Sequence, residues 1–196
     1  MSFYAGSVSI LAQSPDRSTA FQLFQAGDYS NALKLLKKVV KSSPNDGEVW
    51  YRLGASYLKT DKYKDAIKAL QKATEFAPGN DAYHALLAYT YLVVNDPAAS
   101  GAANEALRIE PNNAEAHYVL GVISYRDERF TGAHDRAKRA IQVKPNFAPG
   151  YRLKAQSLIA SFMSLDGKVL PPGVECRPFM PSTATTTSAS IAARPR

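Results

Sequence analysis

The sequence predicts an all-α protein, an α-solenoid of antiparallel helix pairs that repeat along the chain. Prolines recur with gaps of 34, 33 and 34 positions, at Pro44, Pro78, Pro111 and Pro145. Alanines keep the same spacing, at Ala32, Ala66, Ala99 and Ala133, and so do three leucines, at Leu53, Leu87 and Leu120. One period shared by three independent residue types indicates repeated two-helix units.

The second unit shows how one helix pair is encoded. Its first half, GEVWYRLGASYLKT, places four apolar side chains at helical spacing, namely Trp50, Leu53, Tyr57 and Leu58. The segment DKY is expected to turn, and KDAIKALQKATEFAP carries a second apolar stripe of Ala66, Leu70, Ala73 and Phe76. Pro78 should end that helix, because proline lacks a backbone donor and restricts the residue before it. Asn45-Asp46 and Asn112-Asn113 are expected to cap the helices that follow.

Six residues of this unit resemble the signature of the tetratricopeptide repeat (TPR): Trp50, Leu53, Gly54, Tyr57, Ala66 and Pro78. The resemblance implies a right-handed superhelix of four units, with boundaries 13–46, 47–80, 81–113 and 114–147. Small side chains such as Gly54, Ala66 and Ala73 would let paired helices approach closely. These signature residues are therefore expected to build the fold and not to perform chemistry.

Two units depart from the pattern. The first unit has Asp16 at the position of Trp50, which predicts a weak first helix. The third unit lacks one residue between Leu87 and Ala99. We therefore expect a shortened or distorted turn there, with Pro97 opening the second helix.

The ends of the chain differ from the repeats. Residues 148–163 predict a C-terminal capping helix that turns polar groups such as Lys154 and Gln156 outward. Residues 1–12 are expected to be a loosely ordered extension, with the remnant of an export signal as the alternative. Residues 164–196 are rich in Pro, Ser and Thr, which is typical of a disordered linker; a short docking motif is the alternative.

The TPR resemblance implies that a partner binds on the concave face formed by the first helix of each unit. The positions expected to line this groove are Arg17, Phe21, Phe24, Tyr51, Ala55, Leu58, Tyr89, Leu92, Tyr118, Val122, Tyr125, Arg126 and Arg152. Aromatic and aliphatic side chains on an outward face suit a peptide or protein segment. The alternative is that some of these side chains only pack between neighbouring first helices.

One subtype of the family is not expected here. Co-chaperone TPR proteins hold a peptide's terminal carboxylate with lysine, asparagine and arginine from successive units. The corresponding places in this sequence hold Arg17 and Phe21, then Arg52, then Ala82 and Leu86. This set does not make such a clamp.

The chain carries a formal net charge of +7, and its lysines concentrate in the predicted second helices. Seven of them belong to the first two units: Lys34, Lys37, Lys38, Lys41, Lys64, Lys68 and Lys72. A solvated outer face is the favoured interpretation. Binding of nucleic acid or an acidic surface is the alternative, although no RNA-recognition motif accompanies the charges.

No motif for catalysis or for a cofactor is present, and we expect no metal site. The single cysteine, Cys176, cannot pair within the chain. His84 and His117 share the repeat position of Trp50, which favours packing between helices over metal binding.

The predicted function is a non-catalytic protein-interaction scaffold whose partner and oligomeric state stay open. A TPR module of a larger bacterial envelope protein is an alternative, so a cytoplasmic or an envelope location is left open.

Overall fold

The computed structural model describes residues 15–164, which form nine α-helices and, within that range, no strand. The helices are α1 (Pro15–Gln25), α2 (Tyr29–Ser42), α3 (Gly47–Lys59), α4 (Tyr63–Phe76), α5 (Asp81–Val93), α6 (Ala98–Ile109), α7 (Ala114–Arg126), α8 (Phe130–Val143) and α9 (Ala148–Ser164). The chain divides into the units Met1–Ser164 and Leu165–Arg196. The predicted N-terminal extension, the tail beyond Ser164 and Cys176 lie outside the described residues, and the predicted unit boundaries remain predictions.

The helices form two layers. Each helix contacts the next one along the chain. The odd-numbered helices, here called the first helices, also contact one another in succession from α1 to α9. The second helices, α2, α4, α6 and α8, make no contacts with each other in the described part of the chain. The first helices therefore form the inner layer of a curved array, as repeats that touch only their neighbours require.

Capping side chains define the starts of three first helices. Asp46 accepts hydrogen bonds from the backbone N–H groups of Glu48 at 3.0 Å and Val49 at 3.2 Å. Asn113 accepts from Ala116 N–H at 2.8 Å. Both caps were predicted from the sequence. Asn80 performs the same task for α5 and was not predicted.

The turn inside each helix pair contains one residue in the left-handed region. These residues are Gly27 (φ 79°), Asp61 (φ 57°), Asn95 (φ 58°) and Glu128 (φ 59°). They occupy the same repeat position, yet only the first is a glycine, which adopts this conformation without a steric penalty. The turn geometry is thus kept across the array although the residue type is not.

The third pair corrects one expectation. Its turn is not shortened, because four residues, 94–97, separate α5 from α6, whereas three separate α3 from α4. The helix is shortened instead, since α6 has 12 residues and α4 has 14. Asn95 keeps the left-handed position, and Asp96 accepts a 2.8 Å bond from Ala98 N–H. The missing residue is therefore lost between Asn95 and Ala99, where the second helix starts.

Close approach within the pairs is confirmed. A methyl group added at Gly54 would lie 2.6 Å from Leu70 Cγ and 3.3 Å from the carbonyl oxygen of Ala66. Ala66 and Ala73 are fully buried. The glycine in the middle of α3 is present because α4 occupies the space that a side chain would need.

Helix α9 does not have the expected polar exterior. Gln156 is exposed and Lys154 is half-buried, but most of the outward surface is apolar. The exposed apolar residues are Tyr151, Leu158, Ile159, Phe162 and Met163, with exposed fractions from 38% to 70%. The prediction of a polar cap is wrong for this face. None of the helices in residues 15–164 is long and apolar enough to cross a membrane.

Candidate partner-binding cleft

The inner layer contains a cleft of about 410 Å³ to which four first helices contribute. The lining residues are Tyr51 and Lys59 from α3; Ala82, Ala85, Leu86 and Tyr89 from α5; Asn113, Glu115 and Tyr118 from the start and body of α7; and Phe147, Pro149 and Arg152 at α9. Among them are four residues that the sequence assigned to a groove, namely Tyr51, Tyr89, Tyr118 and Arg152. The structure brings these four together, and whether they bind a partner stays a prediction.

Tyr51, which lines the cleft, is stacked on the tyrosine Tyr83 of α5. The rings of Tyr51 and Tyr83 lie 4.6 Å apart with an interplanar angle of 18°. Tyr83 is buried, and burial raises the pKa of both hydroxyl groups. Both tyrosines therefore stay protonated at neutral pH, and Tyr51 presents a neutral aromatic ring to the cleft.

A second aromatic pair stands at the α9 end. Tyr118 contacts the ring of Phe147 edge-on, at 5.4 Å between centroids and 88° between planes. Phe147 occupies the repeat position that Asp46, Asn80 and Asn113 use for capping. An apolar ring at this position extends the cleft, whereas the earlier units place a polar cap there. Tyr89, which is 39% exposed, lines the cleft from α5, the helix between α3 and α7.

The charges around the cleft favour an acidic ligand. The carboxylate of Glu115 is neutralised by Lys144, whose Nζ lies 2.7 Å from Oε1. Lys59 and Arg152 are exposed and have no ion-pair partner among the described residues. The cleft thus combines aromatic surface with two cations that are available to a ligand.

The predicted groove residues of the first unit are engaged in another arrangement. Arg17 donates to Glu48 at 2.9 Å and to Asp46 at 3.3 Å, and Arg52 donates to Glu48 at 2.7 Å. The two guanidinium groups lie 4.4 Å and 4.0 Å from the ring centroid of Phe21. Burial raises the pKa of Glu48, but the bonds and charges of Arg52 and Arg17 outweigh it and hold that pKa below its usual value. This network joins α1 to α3.

The remaining predicted groove residues lie outside this cleft. Phe24 packs edge-on against Tyr29, and Tyr125 packs edge-on against Phe130. Two more, Ala55 and Leu92, are 7% and 5% exposed and offer little surface. The others are half-buried or lie at the helix ends: Leu58, Val122 and Arg126.

Arg126 belongs to a different depression. Its Nη1 donates to Asn95 Oδ1 at 2.9 Å. Together with Leu92 and Pro97 it lines a cleft of about 370 Å³ beside the turn of the third pair. The structure therefore separates Arg126 and Leu92 from the tyrosines with which the sequence grouped them.

Sequence reasoning did not assign several of the cleft residues to the groove, notably Lys59, Leu86, Asn113, Phe147 and Pro149. Phe147 could have been found from the sequence, because it stands where the other units have a polar capping residue.

His84 and His117 lie where Trp50 does, each with Nε2 at 3.0 Å from a proline carbonyl. The seven lysines of α2 and α4 are exposed.

Two family models described as tetratricopeptide repeat match this sequence, over residues 23–88 and 85–147. The chain belongs to the tetratricopeptide repeat family. A search of curated protein sequences gave no match. Membership supports a role as a protein-interaction scaffold.

Solved TPR structures confirm the α-solenoid fold. MamA MSR-1 is 27% identical, with a TM-score of 0.62, over 78% of this chain and 87% of that one. Another MamA crystal structure is 22% identical, with a TM-score of 0.61, over 77% and 88%. The first TPR of Spaghetti (RPAP3), bound to the HSP90 peptide SRMEEVD, is 20% identical, with a TM-score of 0.55, over 59% and 93%. The likenesses below 25% identity concern the fold alone.

Proposed function

We propose that this TPR protein is a non-catalytic scaffold that binds a segment of a partner protein in the cleft between α3, α5, α7 and α9. The observation that carries the proposal is the convergence of Tyr51, Tyr89, Tyr118 and Arg152 on one cleft. Its volume of about 410 Å³ lies in the range of ligand sites. The Spaghetti TPR, which shares this fold, holds a peptide and provides a precedent.

The lining defines the chemistry of the segment. An aromatic or long aliphatic side chain would pack against Tyr89 and Tyr118, because these rings supply apolar area with few rotatable bonds. An acidic side chain would pair with Lys59 or Arg152. Glu115 does not oppose this, since Lys144 neutralises it. The proposed ligand is therefore a peptide that combines an apolar anchor with an acidic residue.

Selection from a peptide display library tests the proposal. Peptides that bind the wild-type protein should carry both features. Their affinity should fall about tenfold or more with Tyr89→Ala and with Arg152→Glu, which remove the apolar contact and reverse the charge. Isothermal titration calorimetry measures both changes.

The matched control is Val94→Ala. Val94 follows α5 and is 39% exposed, as Tyr89 is, but it does not line the cleft. Its replacement should leave the affinity of the selected peptides unchanged. Peptides that bind Tyr89→Ala and Arg152→Glu as tightly as wild type would rule out this cleft as the binding site.

The lysines of α2 and α4 support a second candidate, the binding of nucleic acid or an acidic surface. Among the seven, only Lys72 has an ion-pair partner in the described part of the chain, Glu75 at 2.7 Å. A gel shift with duplex DNA and single-stranded RNA distinguishes this candidate. It requires binding that weakens with salt and disappears on charge reversal at Lys37, Lys38 and Lys68.

A further inference from the structure

Helix α9 carries a continuous apolar stripe on its outward side. Tyr151, Ala155, Leu158, Ile159 and Phe162 follow one another at the spacing of a single helix face. All five are exposed. The buried residues of α9, Gly150, Leu153 and Ser157, lie on another side and pack against the preceding helices. We call the stripe of five residues the α9 outer face.

The repeat register identifies what such a face normally contacts. In α3, the second helix α4 approaches at Gly54, where an added Cβ would meet Leu70. In α7, the second helix α8 approaches at Gly121, where an added Cβ would lie 3.2 Å from Arg136 Cβ. Ala155 occupies the equivalent position in α9. The helix therefore has a small residue where the units before it admit a second helix.

No described helix covers the α9 outer face. Its five residues are exposed, and Ala155 is among them although Gly54 and Gly121, at the same position of α3 and α7, face a second helix. The sequence that follows α9 contains Pro171 and Pro172 within the length of a second helix. Proline is strongly unfavourable in a helix interior. A helix from another protein is thus the better match to this face.

We propose that the α9 outer face docks an amphipathic helix of a partner protein, with acidic residues along the edges of its apolar stripe. The charges select this occupant. Helix α9 contains Arg152 and Lys154 and no acidic residue. An acidic edge complements these cations.

A second copy of this chain is a poorer occupant of the α9 outer face. Two α9 helices brought together would place Arg152 and Lys154 of each copy in one interface, and like charges there are unfavourable. The second helices α2 and α4 of another copy are rich in exposed lysine. The partner is therefore defined by an apolar stripe that fits beside Ala155 and by acidic flanks.

A pair of constrained peptides tests this proposal on the full chain. Both are fluorescently labelled, lactam-stapled helices with the sequence of α4, whose apolar face already fits a first helix. One keeps the native lysines, and the other carries Lys64→Glu, Lys68→Glu and Lys72→Glu. Fluorescence anisotropy should give an affinity for the acidic peptide about tenfold or more above that for the native peptide.

Variants of the protein locate the site of binding. Leu158→Glu and, separately, Ile159→Glu should each weaken the acidic peptide about tenfold or more, because a carboxylate would face the apolar stripe and repel the flanks. These side chains are 44% and 59% exposed, so neither substitution opens the core. Gln156→Glu adds the same charge to another exposed position of α9 and should leave the affinity unchanged. Circular dichroism checks that each variant keeps its helix content.

Four outcomes would overturn the proposal. The first is an acidic peptide that does not bind, or that binds Leu158→Glu as well as wild type. The second is a dimer in sedimentation that Leu158→Glu dissociates, since a second copy would then occupy the face. The third is Leu158-dependent binding to anionic phosphatidylserine vesicles without peptide binding, which would assign the face to a membrane surface. The fourth is loss of peptide binding in Tyr89→Ala, which belongs to the cleft and should have no effect here.

Discussion

The indole Nε1 of Trp50 donates a 2.7 Å hydrogen bond to the carbonyl oxygen of Pro44. The third and fourth units repeat this relationship with histidine, from His84 to Pro78 and from His117 to Pro111, each at 3.0 Å. A carbonyl only accepts, so each imidazole carries its proton on Nε2. A ring donor at this repeat position ties the first helix to the proline turn before it, which explains why tryptophan and histidine are interchangeable there.

Replacement of Trp50 by phenylalanine should show how much the Trp50–Pro44 hydrogen bond contributes to stability. Phenylalanine keeps an aromatic ring but has no donor for the Pro44 carbonyl. We expect the free energy of unfolding to fall by about 1 kcal/mol, the usual contribution of one such hydrogen bond. Urea denaturation followed by circular dichroism measures the change. Trp50→His, which retains a donor as His84 and His117 do, should be the less destabilised of the two.

The buried His117 should make stability depend on pH. Burial lowers the pKa of His117; the Pro111 carbonyl opposes this and the nearby Arg136 adds to it. The folded pKa lies below the unfolded value, so the neutral His117 side chain contributes to the free energy of unfolding. This contribution is complete above about pH 6.5 and is lost as the pH falls toward and through the folded pKa. The advantage of wild type over His117→Gln in urea unfolding should shrink between about pH 8 and about pH 5.5. An advantage that is constant across this range would contradict the assignment.

Gly54 should not tolerate a methyl group. The added Cβ would lie 2.6 Å from Leu70 Cγ, a side chain with no exposed surface. We expect Gly54→Ala to reduce the free energy of unfolding by about 1–3 kcal/mol through overpacking. Gly79→Ala is the matched control, because no atom lies within 4 Å of its added Cβ. Equal denaturation midpoints for the two variants would show that α4 does not require the glycine.

Glycine should stabilise the turn of the fourth pair. Glu128 has φ 59°, and its side chain has no hydrogen-bond partner among the described residues. The left-handed conformation is costly for a residue with a Cβ atom, so we expect Glu128→Gly to raise the free energy of unfolding by about 0.5–1 kcal/mol. Glu128→Ala keeps the Cβ and should bring no gain. Thermal denaturation of the two variants, side by side, decides between a conformational effect and a charge effect.

Much of the fold could be predicted, because the residues that recur with the repeat period are the ones that pack the helices together. Gly54, Ala66 and Pro78 each restrict the backbone or the distance between helices, so their spacing reports helix pairs directly. The location of the missing residue in the third unit could not be predicted. The sequence shows only that one residue fewer separates Leu87 from Ala99 than in the other units. The left-handed Asn95 shows that the turn before it is intact, but the sequence does not mark this position with a glycine.

The candidate site was predicted in part, for a similar reason. Tyr51, Tyr89 and Tyr118 follow the repeat and reach one cleft. Arg17 follows the repeat too, but its partners are Asp46 and Glu48, which lie 29 and 31 positions away. Such pairings depend on how two helices cross. A pattern within one helix cannot report them, so the network around Arg17 appears only in the structure.

The absence of contacts between neighbouring second helices in residues 15–164 has a mechanical consequence. Bending that opens the outer edge of the array breaks no contact between second helices; it strains only the contacts that α2, α4, α6 and α8 each make with the first helix that follows. Stiffness is therefore unequal in the two layers. We expect small rotations shared among several pairs to widen or narrow the cleft without unfolding any helix.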